Sequence, residues 1–195
     1  MSSKPGFAPI ALPSRQECLA LMEAYQMLPH IREHSFQVTR VALVLGEALK
    51  AAGFRLHLPL IEAGALLHDL GKTHCLGTPV NHAVWGAAVL AGLGFVQLAQ
   101  VVREHVHLEP APADPRPLRE AEVVNYADKR VLHHQVVTLK RRFADLKARY
   151  GRAPEALRRI AHLQAQTQNL EEKIFAPLGL TPLDLMDVNH LRRNP

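Results

Sequence analysis

Cysteine is scarce in this sequence, with only Cys18 and Cys75 among 195 residues. The two form no CxxC pair and lack the density of a cross-linked secreted scaffold, so free thiols in a reducing compartment are expected. Long apolar runs are lacking as well. Charges, glycine or proline break the apolar stretches well before the ~20 residues needed to cross a bilayer, and no charged start leads into an apolar signal segment. A cytoplasmic protein without a membrane segment is the expectation. Aromatic residues make up only 5% of the chain. None alternates with the basic residues of the C-terminal third, which argues against a platform for stacking single-stranded nucleic acid. Period-2 apolar alternation, low-complexity runs and internal repeats are also missing, which argues against sheet and solenoid architectures.

What is present reads as helix. Hydrophobic residues make up 48% and charged residues 21%, ordinary for a single domain able to bury a sizeable core. The net charge of +5 favours a small anionic partner only weakly. Residues 1–13, rich in proline, are expected to form a loose arm. Ser14 is a candidate N-cap for a helix reaching Leu28 and closed by Pro29. Further helices are expected over about 31–52, 58–70, 82–91, 95–106, 118–149 and 154–175, with a short last one from Thr181-Pro182. "EPAPADPRP" is expected to be a surface loop. The fold expected is an all-α bundle, with a helical domain over 14–135 and a C-terminal helical extension over 136–195.

Periodicity then isolates polar residues where apolar ones belong. Ile31, His34, Val38, Val41, Leu45 and Leu49 follow the spacing of a buried helical stripe. His68 shares a face with Ile61 and Ala65, His105 with Leu98, Val101 and Val102, and Asp128 with Ala121, Val124 and Val131. Four helices thus aim polar groups at one core. A buried, unpaired carboxylate costs several kcal/mol even after relaxation, so Asp69 and Asp128 need positive charge nearby. Neutral imidazoles cannot supply it, whereas a divalent metal can.

His34, the doublet His68-Asp69 within "HDLGK", and Asp128 within "NYADKR" together resemble the pattern of the HD superfamily of metal-dependent phosphohydrolases. The resemblance runs from about Pro29 to about Arg130. It implies an all-α bundle with His34, His68, Asp69 and Asp128 as ligands of a first metal. Dinuclear members add a histidine that opens the following helix and another on the next. His82 and His105 are the candidates here, with Asp69 as the bridge and His107 as a rival to His105. The implied cofactor is a divalent pair, with Fe, Mn, Ni, Co, Mg and Zn all open. The set is similar to that of small symmetric dinucleoside tetraphosphate hydrolases and cyclic-dinucleotide phosphodiesterases, but the GYP segment of the latter group is missing after His105.

The chemistry that this implies is hydrolysis of a small phosphate ester or anhydride, a nucleotide foremost. A metal lowers the pKa of bound water toward ~7, and Asp69 would orient that water. Lys72, one turn beyond His68, would meet phosphate as a point charge, and Arg32, Lys129 and Arg130 would line the same mouth. Each has a plainer alternative. Lys72 could simply complement the end of its helix, and the three others could be solvated surface charges. His30, His57, His74, His133, His134, His162 and His190 read as surface or packing residues, and Trp85 as packing. The basic run Lys140, Arg141, Arg142, Lys147, Arg149, Arg152, Arg158 and Arg159 reads as the solvated face of amphipathic helices. Leu139, Phe143 and Leu146, with Leu157, Ile160 and Leu163, would close a helical hairpin or a homodimer. Two other functions within reach of this ligand set are a dinuclear-iron oxygenase and a nucleotide-binding module without turnover.

Overall fold

In the computed structural model of the chain, described over residues 11–109 and 117–187, helices carry the architecture. The expected arm is seen only at its end, where Leu12 is partly buried against the core and Pro13 is buried. Most of the expected "EPAPADPRP" loop lies outside the described residues. Helix α1 (Arg15–Ala24) starts at Ser14 through a reciprocal cap, in which the Ser14 hydroxyl accepts from Glu17 N–H and the Glu17 carboxylate accepts from Ser14 N–H. It stops before Pro29, and the chain turns through Gln26 at φ 52°. Pro29 is the first residue of α2 (Pro29–Ala51) rather than the end of α1, because an N1 proline gives up no intrahelical hydrogen bond.

Helix α3 (Leu58–Leu67) ends earlier than expected, and "HDLG" turns into a single turn of helix, α4 (Lys72–Cys75). Helices α5 (His82–Gly92) and α6 (Val96–Glu104) follow as an antiparallel pair. Helices α2, α3, α6 and α7 (Glu120–Lys129) pack around one core that includes Val38, Leu45, Ile61, Leu66, Val102 and Val124. Gly64 sits where α3 meets α6. A Cβ there would lie 2.6 Å from Val101 Cγ1, so the missing side chain lets the two helices that end in His68 and His105 approach closely.

The long helix expected over 118–149 is four elements. After α7 come a two-residue antiparallel pair, β1 (Val131–Leu132) with β2 (Gln135–Val136), and then α8 (Leu139–Tyr150). His133 takes a left-handed φ of 55°, Arg130 Nε donates to Val137 O at 2.7 Å, and Thr138 caps α8 through Arg141 N–H. Valines at 131, 136 and 137 favour extended backbone yet keep the apolar rhythm going, which is why periodicity alone runs through the break.

Helix α9 (Pro154–Phe175) spans the expected range and pairs with α8 as a hairpin. Leu139, Phe143, Leu170 and Ile174 are buried in the common core, whereas Leu157 stays exposed. In place of the last helix a 3-10 turn covers Asp184–Asp187, with the Asp184 carboxylate accepting from Thr181. Both cysteines are free and buried. Among the described residues no helix is long and apolar enough to cross a membrane.

Candidate metal centre

Five helices bring six side chains to one place. His34 comes from α2, His68 and Asp69 from the end of α3, His82 from the first position of α5, His105 from the end of α6, and Asp128 from the last turn of α7. Local chemistry sets each position. Asn81 caps α5 by accepting from Ala83 and Val84 N–H, which puts His82 at N1. Asn125 donates to the carbonyls of Glu104 and His105, tying the end of α6 to α7.

The six form two trios, His34–His68–Asp128 and Asp69–His82–His105, and the candidate donor atoms of each lie within 4.8 Å of one another. A bound ion with bonds of ~2.1 Å would tighten that spread. Asp69 lies between the trios. Its Oδ1 is 3.2 Å from His82 Nε2 and 3.6 Å from His105 Nε2, and its Oδ2 is 3.4 Å from His68 Nε2.

Tautomers are fixed by backbone carbonyls. His34 Nδ1 donates to His133 O at 2.8 Å, His68 Nδ1 to Ala65 O at 2.8 Å, and His105 Nδ1 to Val102 O at 2.6 Å. In the neutral rings each Nε2 therefore turns a lone pair inward, the arrangement that ligating histidines need. His68 Nε2 is buried without a hydrogen-bond partner. His82 Nε2 faces His105 Nε2 at 3.1 Å, and two such lone pairs repel unless a cation or proton lies between them. The donor set thus fits a divalent metal.

The electrostatics agree. Burial first, and then the charge of nearby His68, push His105 down to about 4, so its ring is neutral at pH 7. Burial would raise the carboxyl of Asp69, but His68 and Lys72 outweigh it and hold the group well below the usual range. Asp128 is likewise held down against burial, by Lys129, by a hydrogen bond from His34 Nε2 at 3.0 Å when that nitrogen carries a proton, and by Arg142. Both carboxylates are thus ionised although buried, each with an ammonium at 2.7 Å, Lys72 on Asp69 and Lys129 on Asp128.

A cavity of about 310 Å³ opens on this cluster, with His34, Asp69, Lys72, Arg142, Arg149 and Tyr150 among its lining. Lys72 Nζ donates to Asp69 Oδ2 at 2.7 Å, half exposed at the rim. The other cations expected at the mouth lie elsewhere. Lys129 is buried, donating to Asp128 Oδ2 at 2.7 Å and His105 O at 3.0 Å. Arg130 is buried on the far side of α7, its donors taken by Tyr126, Val137 and Pro182. Arg32 pairs with Glu23 at 3.5 Å and does not line the cavity. In their place stand Arg142 and Arg149, read from sequence as solvated, together with Tyr150. Their spacing of seven residues puts them on one face of α8, a signal visible only once α8 is separated from α7. His30 and His133 also reach the cavity. His107 is exposed and outside both trios. Trp85 packs, stacked on His74 at 4.3 Å and edge-on to Tyr25.

Gly71 of "HDLGK" has a steric role. A Cβ there would lie 2.5 Å from His82 O and 3.0 Å from Trp85 Cε3. Because the nearer atom is backbone, Gly71→Ala is expected to push α4 from α5, cost about 1–3 kcal/mol and weaken metal uptake by the trio containing His82. Denaturant unfolding and metal titration of the variant check this; wild-type values in both would contradict it.

Comparison with known proteins gives the same answer. The HD domain family model matches residues 31–131, about half of the chain and all six clustered residues. An uncharacterized protein of Methanocaldococcus jannaschii is 28% identical over 153 residues, 72% of this chain and 89% of that protein. The tRNA (cytidine(56)-2'-O)-methyltransferase of Thermoplasma volcanium is 31% identical over 96 residues, 49% of this chain but only 26% of that enzyme. No solved structure matches. With the pattern, the all-helical fold and the family match in agreement, the chain belongs to the HD domain family.

Proposed function

We propose that the protein is a metal-dependent phosphohydrolase acting on a nucleotide or another small phosphate ester. The observation that carries this reading is the pairing of two His/Asp trios beside a cavity that one residue of each trio, His34 and Asp69, lines together with Lys72, Arg142 and Arg149. His34, His68 and Asp128 would hold one divalent ion and His82, His105 and Asp69 the other, with Asp69 reaching both. Ions bound there would supply an acidified water and positive charge for the phosphoryl oxygens.

The remaining work falls to side chains. Asp69, acceptor-only when ionised, would orient the water by taking its hydrogen bond. Lys72 would turn from Asp69 toward a phosphoryl oxygen, which its half-exposed position allows. The carbonyls of His133, Ala65 and Val102 keep three imidazoles aimed inward, and Lys129 holds Asp128 and the His105 carbonyl in register. Preorganised charge of this kind stabilises a phosphoryl transition state without reorganisation at the moment of reaction. The methyltransferase relative shares only a quarter of its length with this chain, so methyl transfer is not carried over.

The test is phosphate release from a panel of nucleotides and dinucleoside polyphosphates, with Mn, Co, Ni, Fe, Mg or Zn supplied in turn. Turnover that chelator abolishes and metal restores is expected. Turnover that survives chelation, or oxygen consumption by the iron-loaded protein in place of phosphate release, would contradict the reading.

A further inference from the structure

Helix α8 lies outside the segment that matches the family model, yet it supplies two of the three cations of the cavity. Arg142 stands out. Its side chain is only 14% exposed, but its nearest carboxylate contacts are 4.0 Å to Asp128 Oδ1 and 3.8 Å to Asp145 Oδ2, both beyond hydrogen-bond reach. Its Nε is buried and has no hydrogen-bond partner. Lys129, by contrast, closes on the same Asp128 at 2.7 Å. A guanidinium placed only to anchor α8 would close in the same way, because leaving buried donors unmade is costly.

Asp145 sits between the arginines, with Oδ2 3.8 Å from Arg142 and 3.7 Å from Arg149, and that oxygen too makes no hydrogen bond. Charge attraction therefore holds both forks on the cavity side of α8 while leaving donors free. Arg149 donates to Tyr150 Oη at 2.9 Å and keeps its remaining donors at the half-exposed rim.

We infer that Arg142 and Arg149 are the phosphate grip of this site, binding the anionic group of an organic phosphate in the cavity beside the His/Asp cluster. The inference rests on the proposed phosphohydrolase reading and adds to it the residues that recognise the substrate. A planar fork can bind two phosphate oxygens at once, which an ammonium cannot. Asp145 is a positioning residue, and Tyr150 marks the side of the cavity where the organic part would lie.

The test uses inorganic phosphate as the probe. Full-length wild type, Arg142→Gln, Arg149→Gln and Arg142→Lys are titrated calorimetrically with phosphate, with and without Mn²⁺, and Mn content and Tm are measured for each. Phosphate affinity is expected to fall about tenfold or more in Arg142→Gln, as loss of one charge-assisted pair implies. Arg149→Gln should fall less, and Arg142→Lys should recover only part of the loss. Mn content and Tm should stay at wild-type values. Equal phosphate affinity in wild type and both Gln variants would overturn the grip, as would a wild type that binds no phosphate at millimolar concentration, or an affinity loss matched by loss of Mn. Failure of the phosphohydrolase reading shows separately, in the wild type's Mn content and turnover.

Discussion

Asp69→Ala is expected to yield a folded helical protein that loses its metal and releases phosphate at least ~10³-fold more slowly, the scale of several kcal/mol of lost charge stabilisation. The size of the effect follows from position. Among the described residues Asp69 is the one carboxylate within 3.6 Å of His68, His82 and His105 together, so truncation removes the negative charge shared by both trios. Fold should survive because Asp69 lies past the last residue of α3, and the Lys72 ammonium, left without its partner, can turn to solvent. Circular dichroism, elemental analysis and phosphate release check the three parts. A variant with full metal and full turnover would end the mechanism.

Arg130→Ala is expected to be the most destabilising single change outside the cluster. Arg130 is 1% exposed, and its guanidinium reaches Val137 O at 2.7 Å, Tyr126 Oη at 2.6 Å, Pro182 O at 2.7 Å and Glu171 at 3.4 Å. It joins the end of α7, two residues from Asp128, to Val137 just after β2, to α9 and to the segment after it. Removal leaves a void, two unanswered carbonyls and Glu171 without its cation. Losses of about 3–5 kcal/mol attend the breaking of such buried pairs, which for a chain of this size lowers Tm by roughly 10 °C. Thermal unfolding measures it. A Tm within a degree or two of wild type would show that the network carries no stability.

Much of the cluster was legible in the sequence because a polar residue in an apolar stripe is conspicuous. His34 between Ile31 and Val38, and Asp128 after Val124, could be read without coordinates. The cations around them could not. Lys129 and Arg130 follow Asp128 by one and two positions, so in a helix they point ~100° and ~200° away from it. One reaches the end of α6 and the other the α9 side of the bundle. Adjacency in sequence made them look like mouth residues, and helix geometry moved them. Arg142 and Arg149 were hidden for the opposite reason. Lys140, Arg141 and Lys147 surround them in sequence, and only the β1–β2 hairpin, which resets the rotation of α8 after α7, separates cavity-facing from solvated charges. Two-residue strands are too short to show a period, so the sequence carries no mark of the hairpin. Its turn nonetheless supplies the carbonyl that orients His34.

Metal content per chain, measured by elemental analysis on anaerobically purified protein, tests the central claim most directly. Two divalent ions per chain are expected, one for each trio of ligands. No metal in any preparation, aerobic, anaerobic or reconstituted, would mean that the buried histidines and aspartates balance one another with protons alone, and would contradict the account.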